Sequence, residues 1–210
     1  MIVAVAACAA ACATPQEAFD VDAGADAFWG SCTDEGGRSR EGPLVLAGPP
    51  DVEALTGVAV IDGDLTITGP EITTLAFLSD LRCVRGRLAV EDTTALRTLE
   101  GLEGLVAIEE DLELHRNLAL ESVEALSSLR FLGPFRTSAD ADLSIVGNPR
   151  LAELTGLSSV PELRGDLVVR SNAALTSLAG LEGSARCGAT SRCSATRRSR
   201  PPWASTRSWW

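Results

Sequence analysis

The sequence predicts a mainly β solenoid of about five stacked coils, on three observations. An apolar-x-apolar triplet recurs from Leu65 onward, its first residue returning at spacings of 23, 24, 31 and 24. The chain has only three asparagines, and Asn117, Asn148 and Asn172 each fall five residues after the first leucine of a triplet. Hydrophobic residues make up 45% of the 210, yet only 4% are aromatic and none is tyrosine. A core of Leu, Val and Ala suits thin stacked layers, and spacings near 24 are those of coiled repeats.

Residues 1–13 are apolar and small, without internal charge, and read as the leader of an exported protein. They are too few to span a membrane. Val5-Ala6-Ala7-Cys8 resembles a bacterial lipobox, whose cysteine is lipidated; Ala9-Ala10-Ala11-Cys12 is the weaker alternative. No positive residue precedes the apolar run, so this is a truncated signal or an apolar leader with incidental cysteines. Residues 14–42 are acidic, Gly-rich and aperiodic and read as a flexible tether.

The solenoid is expected over residues 43–183. Its triplets are Leu65-Thr66-Ile67, Leu88-Ala89-Val90, Leu112-Glu113-Leu114, Leu143-Ser144-Ile145 and Leu167-Val168-Val169. Leucines spaced by three follow each triplet, as in Leu96, Leu99, Leu102 and Leu105. A long helix is rejected there, because Gly101, Gly104, Gly156, Gly180 and Pro161 interrupt these stretches, at about 1 kcal/mol per Gly and 3 per Pro. Short turns that aim each leucine into a common stack fit better.

The asparagines read as an inward ladder at a corner, each side chain satisfying turn amides, with Asn itself tolerating left-handed backbone. Pro70 and Thr93 occupy the place in the first two coils, so the ladder is expected to begin at the third. A second column, Asp64, Asp111, Asp142 and Asp166, enters the strands behind Gly63, Gly86 and Gly165, with Arg87 breaking the series. One file of carboxylates supplies too few oxygens for calcium, so solvated corner acids are expected and no metal or other cofactor.

The units "GDLTI", "LSIVGNPRLAELTGL" and "GDLVVRSNAALTSLAGLEG" resemble the receptor L-domain, a ligand-binding repeat module of growth-factor receptors and bacterial surface proteins, over about Val58–Gly183. The resemblance implies a right-handed single-stranded β-helix of leucine-rich-repeat character. No kinase, transmembrane helix or cysteine-rich module accompanies it, so receptor signalling is not implied.

Setting aside leader and tail cysteines leaves Cys32 and Cys83. In an oxidising compartment they are expected to pair; otherwise they are two free buried thiols. The longer third spacing marks an insertion that includes Phe131, Gly133, Pro134, Phe135 and Arg136. It reads either as a binding loop or as a hydrophobic plug.

Residues 184–210 change character, with six Arg, two Cys, three Trp and no acid or leucine. At face value Cys187 and Cys193 suggest a redox or metal pair, and Arg with Trp a nucleic-acid or membrane tail. Back-translation with GC-rich codons, read from the third base of the Gly183 codon, permits LGAVRGDLAVLGNPALAAALGLDALVV. That restores the Gly-Asp-Leu corner, the triplet and the asparagine. The tail is therefore read as a frameshift product, disordered in the chain as it stands.

The formal charge is -11, from 18 basic residues, all Arg, against 29 acids, which disfavours nucleic acid and anionic lipid as partners. Membrane contact is expected only through a lipid anchor. The outward strand positions Thr66, Thr68, Ala89, Glu91, Glu113, His115, Ser144, Val146, Val168 and Arg170 should tile one exposed sheet face. That face is the candidate site for a protein or glycan partner. His115 is the only histidine, and no nucleophile-base order, metal spacing or phosphate loop is present. The sequence thus predicts a non-catalytic binding or adhesion module, exported to the cell envelope or outside. The alternative is a structural envelope repeat, or a decayed gene copy, without a ligand.

Overall fold

A computed structural model describes residues 37–48, 55–133, 141–160, 163, 165–181 and the backbone of 193–196. Two parallel sheets run the length of a β-solenoid of about five turns. One is five-stranded, in the order β1 (Arg38–Glu41), β3 (Val58–Asp62), β5 (Cys83–Val84), β7 (Ala107–Ile108) and β9 (Phe131–Leu132). The other is seven-stranded, in the order β2 (Leu44–Leu46), β4 (Leu65–Thr68), β6 (Leu88–Glu91), β8 (Leu112–His115), β10 (Leu143–Val146), β11 (Leu167–Arg170) and β12 (Cys193–Thr196). Each triplet is a strand of this second sheet. Leu44, Leu65, Leu88, Leu112, Leu143 and Leu167 lie in one register row.

The inward leucine at the start of each triplet forces this register. Sliding one strand by a single residue would turn every inward leucine to solvent. The inward rows join the buried leucines of the turns, among them Leu75, Leu99, Leu102, Leu126, Leu154 and Leu157, in one continuous core. The leucine stretches contain no long helix among the described residues. They hold short 3-10 turns at Ala76–Leu78, Glu124–Ser128 and Thr155–Leu157. Gly101, Gly156 and Gly180 are required there, because a Cβ would collide with the carbonyl oxygens of Leu75, Val123 and Leu154 one coil back.

Both corner columns are hydrogen-bonded ladders. At the strand exits, the backbone N–H of Thr93 donates to Asn117 Oδ1 (3.3 Å), that of Asn117 to Asn148 Oδ1 (3.0 Å), and that of Asn148 to Asn172 Oδ1 (2.9 Å). The amide nitrogens of Asn117, Asn148 and Asn172 donate in turn to the carbonyls of Val90, Leu114 and Ile145. The ladder therefore starts one coil earlier than expected. Thr93 is fully buried and also donates its hydroxyl to Asn117 Oδ1 at 2.8 Å. The left-handed position is likewise not the asparagine but the residue before it. Gly69, Asp92, Arg116, Gly147 and Ser171 have φ of 112°, 55°, 55°, 76° and 58°.

The aspartates are not merely solvated. Asp64 Oδ1 accepts the backbone N–H of Arg87 at 3.0 Å, Asp111 that of Asp142 at 2.8 Å, and Asp142 that of Asp166 at 2.7 Å. A carboxylate is a strong acceptor for a strand-entry amide that a parallel sheet leaves unpaired.

Two boundaries differ from those expected. The strand β1 (Arg38–Glu41) falls in the stretch read as tether, where its polar side chains gave no alternation to detect. The strand β12 (Cys193–Thr196) pairs in parallel with β11, within the tail read as disordered. Cys8, Cys12, Cys32, Pro134, Phe135 and Arg136 lie outside the described residues. Phe131 belongs to β9, half-buried against the outer side of its sheet.

Candidate ligand-binding face

The face of the seven-stranded sheet turned away from the core presents two register rows. One runs Val45, Thr66, Ala89, Glu113, Ser144, Val168. The other runs Thr68, Glu91, His115, Val146, Arg170. In-register neighbours on a parallel sheet stand about 4.8 Å apart, so each row is a continuous file of side chains. Thr66, Thr68, Glu91, Glu113, His115, Ser144, Val146 and Val168 are half-buried and Arg170 is exposed. Ala89 departs from expectation: it sits in its row but is only 2% exposed, its methyl overtopped by longer neighbours.

The polar groups concentrate on the three middle strands. His115 Nε2 and Ser144 Oγ lie 2.7 Å apart, a hydrogen bond whose donor is set by the imidazole tautomer. Glu91 is the in-register neighbour of His115 on the opposite side. The Arg87 guanidinium donates to Glu113 Oε2 at 3.3 Å. At the strand exits Arg116 donates to both carboxylate oxygens of Asp92, at 2.6 and 2.7 Å, and approaches Glu91 at 3.5 Å. The Arg116 hydrogen bonds hold the Asp92 carboxyl below the ordinary carboxylate range, and the same contact raises the guanidinium. Arg170 lies beyond Val146, two strands from His115 and apart from this cluster.

The His115–Ser144 contact was missed at the sequence level because the residues are 29 apart. The signal was available: they occupy the fourth and second positions of adjacent strands in one register. A serine hydroxyl held by an imidazole is half of a nucleophile–base pair. Among the described residues no carboxylate hydrogen-bonds the other ring nitrogen, and no group of three or more His, Cys, Asp or Glu could hold a metal ion.

Cys83 is disulfide-bonded and fully buried in β5; the partner expected for it, Cys32, is outside the described residues. No helix among them is long and apolar enough to cross a membrane. No protein family, curated protein or solved structure matches the chain.

Proposed function

We propose that the chain is a non-catalytic binding module that presents the outer face of its seven-stranded sheet to a protein or glycan partner. The observation that carries this reading is the grouping of Glu91, Glu113, His115 and Ser144 at the middle of a flat parallel face, flanked by Thr66 and Thr68 on one side and Val168 on the other. A continuous file-and-row surface is what stacked repeats offer a partner. Its carboxylates, imidazole and hydroxyl suit donors such as sugar hydroxyls or backbone amides. The apolar leader, the lipobox-like Val5-Ala6-Ala7-Cys8 and the receptor L-domain resemblance support an exported protein held at a cell envelope, with Cys8 or Cys12 as lipid anchor.

A second reading, a structural envelope repeat without a ligand, has its own support. Arg87 with Glu113, and Arg116 with Asp92 and Glu91, already satisfy one another. Crosslinking on intact cells separates the two. The binding module yields a discrete adduct that is lost when His115 and Arg170 are both changed to Ala. No adduct on cells displaying the folded chain favours the structural repeat, and an adduct unaffected by that change places the contact away from this face.

A further inference from the structure

The five-stranded sheet has a second apolar column on the face turned away from the core. Ile61, Val84, Ile108 and Leu132 point inward into the main core. By strand alternation Val60, Cys83, Ala107 and Phe131 point outward, and the register places them in one row. A bulge where Arg38 meets Val58 and Ser39 meets Val60 adds Ala59 to that outer side. These residues form a cluster separate from the core. Val60, Cys83 and Ala107 are 3%, 0% and 0% exposed. An outer sheet face this dry is covered.

Three observations identify the cover. Gly37, which leads into the edge strand β1, lies so close over Ala59 that a Cβ there would collide with the Ala59 methyl. Gly37 itself therefore lies over this face. Cys83, in the middle of the column, is disulfide-bonded. Cys32 stands five residues before Gly37, a reach of about 17 Å when extended, against about 10 Å for the two strand spacings from β1 to β5. Cys193 is excluded as the partner: it is on the other sheet, four strands beyond β6, or about 19 Å along the stack, and a disulfide spans less than about 7 Å between Cα atoms. Three to five residues before Cys32 stand Ala27, Phe28 and Trp29, in a chain with five Phe and four Trp in all.

We propose that residues 27–37 dock on the outer face of the five-stranded sheet, with Phe28 and Trp29 against Val60, Ala107 and Phe131 and with Cys32 disulfide-bonded to Cys83. Forming the bond takes two electrons and two protons from the two thiols, passed by thiol–disulfide exchange to an oxidised dithiol carrier. The segment is thus part of the fold, and it leaves the seven-stranded face open.

Mass mapping of the unreduced full chain after cleavage at arginine and aspartate tests the link. The expected product is the Cys83-Val84-Arg85 peptide joined to the Ala27–Asp34 peptide, which holds Cys32 alone. Linkage to Cys8, Cys12 or Cys187, or to a second copy of the chain, overturns the proposal. Hydrogen exchange tests the cover in full chains carrying Trp29→Ser with the disulfide intact. The amides of Val60 and Ala107 should exchange about tenfold faster while those of Ile67 and Leu114 keep their rates. Unchanged exchange at Val60 and Ala107, or acceleration spread equally over both sheets, overturns it.

Discussion

Asn148 makes more ladder contacts than its neighbours can replace. Its Oδ1 accepts from Asn117, its Nδ2 donates to Leu114, and it is fully buried. Changing it to Ala leaves the buried Asn117 N–H without a partner and takes a second donor from the buried Leu114 carbonyl, at about 1–3 kcal/mol for the N–H and less for the carbonyl. Asn172 makes the equivalent bonds to Asn148 and Ile145 but is half-buried, so water replaces part of what is lost. In urea, Asn148→Ala is therefore expected to cost about 3 kcal/mol and Asn172→Ala about 1. Equal costs would show that burial does not set the worth of these bonds. The adjoining Asp92–Arg116 pair gives a pH signature. The Asp92 carboxyl is lowered by its hydrogen bonds to Arg116, so what the pair contributes is present above the ordinary carboxylate range and is lost as pH falls through the lowered folded value. Carboxyl-carbon NMR of Arg116→Gln should move the Asp92 midpoint upward. Both groups are exposed, so added salt should shrink the difference.

At the scale of elements, the turns hold the coils together by backbone contact as much as by leucine packing. Gly156 has an ordinary φ, yet its Cβ position is filled by the Val123 carbonyl of the coil before. Gly156→Ala should force coils three and four apart, lowering stability by about 1–3 kcal/mol. The same change at Gly42, where nothing lies within 4 Å, meets only the unfavourable φ of 81°, so urea midpoints should rank Gly156→Ala the more damaging. This difference also marks what was legible in the sequence. Five of the seven strands of the seven-stranded sheet, β4, β6, β8, β10 and β11, were readable because Leu-x-apolar alternation repeats in five coils, and the asparagines were readable because they are rare. The other sheet was not: Cys83–Val84, Ala107–Ile108 and Phe131–Leu132 are two residues each, too short for a period to register. The aspartate ladder stayed hidden because a corner Asp looks alike whether it faces water or an amide one coil away. The His115–Ser144 contact needed the register of two strands, which no single repeat contains.

In the whole molecule each coil is stabilised by the coils on either side, so the last coil decides how the stack ends. Leu175 and Leu178, at the fifth coil, are only partly buried, whereas the corresponding Leu151 and Leu154 of the fourth are fully buried. The strand β12 extends the seven-stranded sheet, but Cys193 pairs with Leu167 from 26 residues on, while Leu167 pairs with Leu143 from 24 on. The alternative-frame continuation LGAVRGDLAVLGNPALAAALGLDALVV differs on this point. Its Gly-Asp-Leu leucine falls 24 residues after Leu167 and its asparagine 24 after Asn172. That asparagine would stand where the Asn172 backbone N–H can donate to it, extending the ladder, while the new leucines would cover Leu175 and Leu178. A chain carrying this continuation after Gly183 should be more stable than the chain as written. Burying two partly exposed leucines more deeply is worth about 1–3 kcal/mol, and one more ladder bond adds about 1. The urea midpoint should rise, and the Asn172 amide should become strongly protected from hydrogen exchange. If the midpoint falls, or that amide exchanges as before, the continuation does not form a sixth coil, and residues 184–210 are not a displaced version of it.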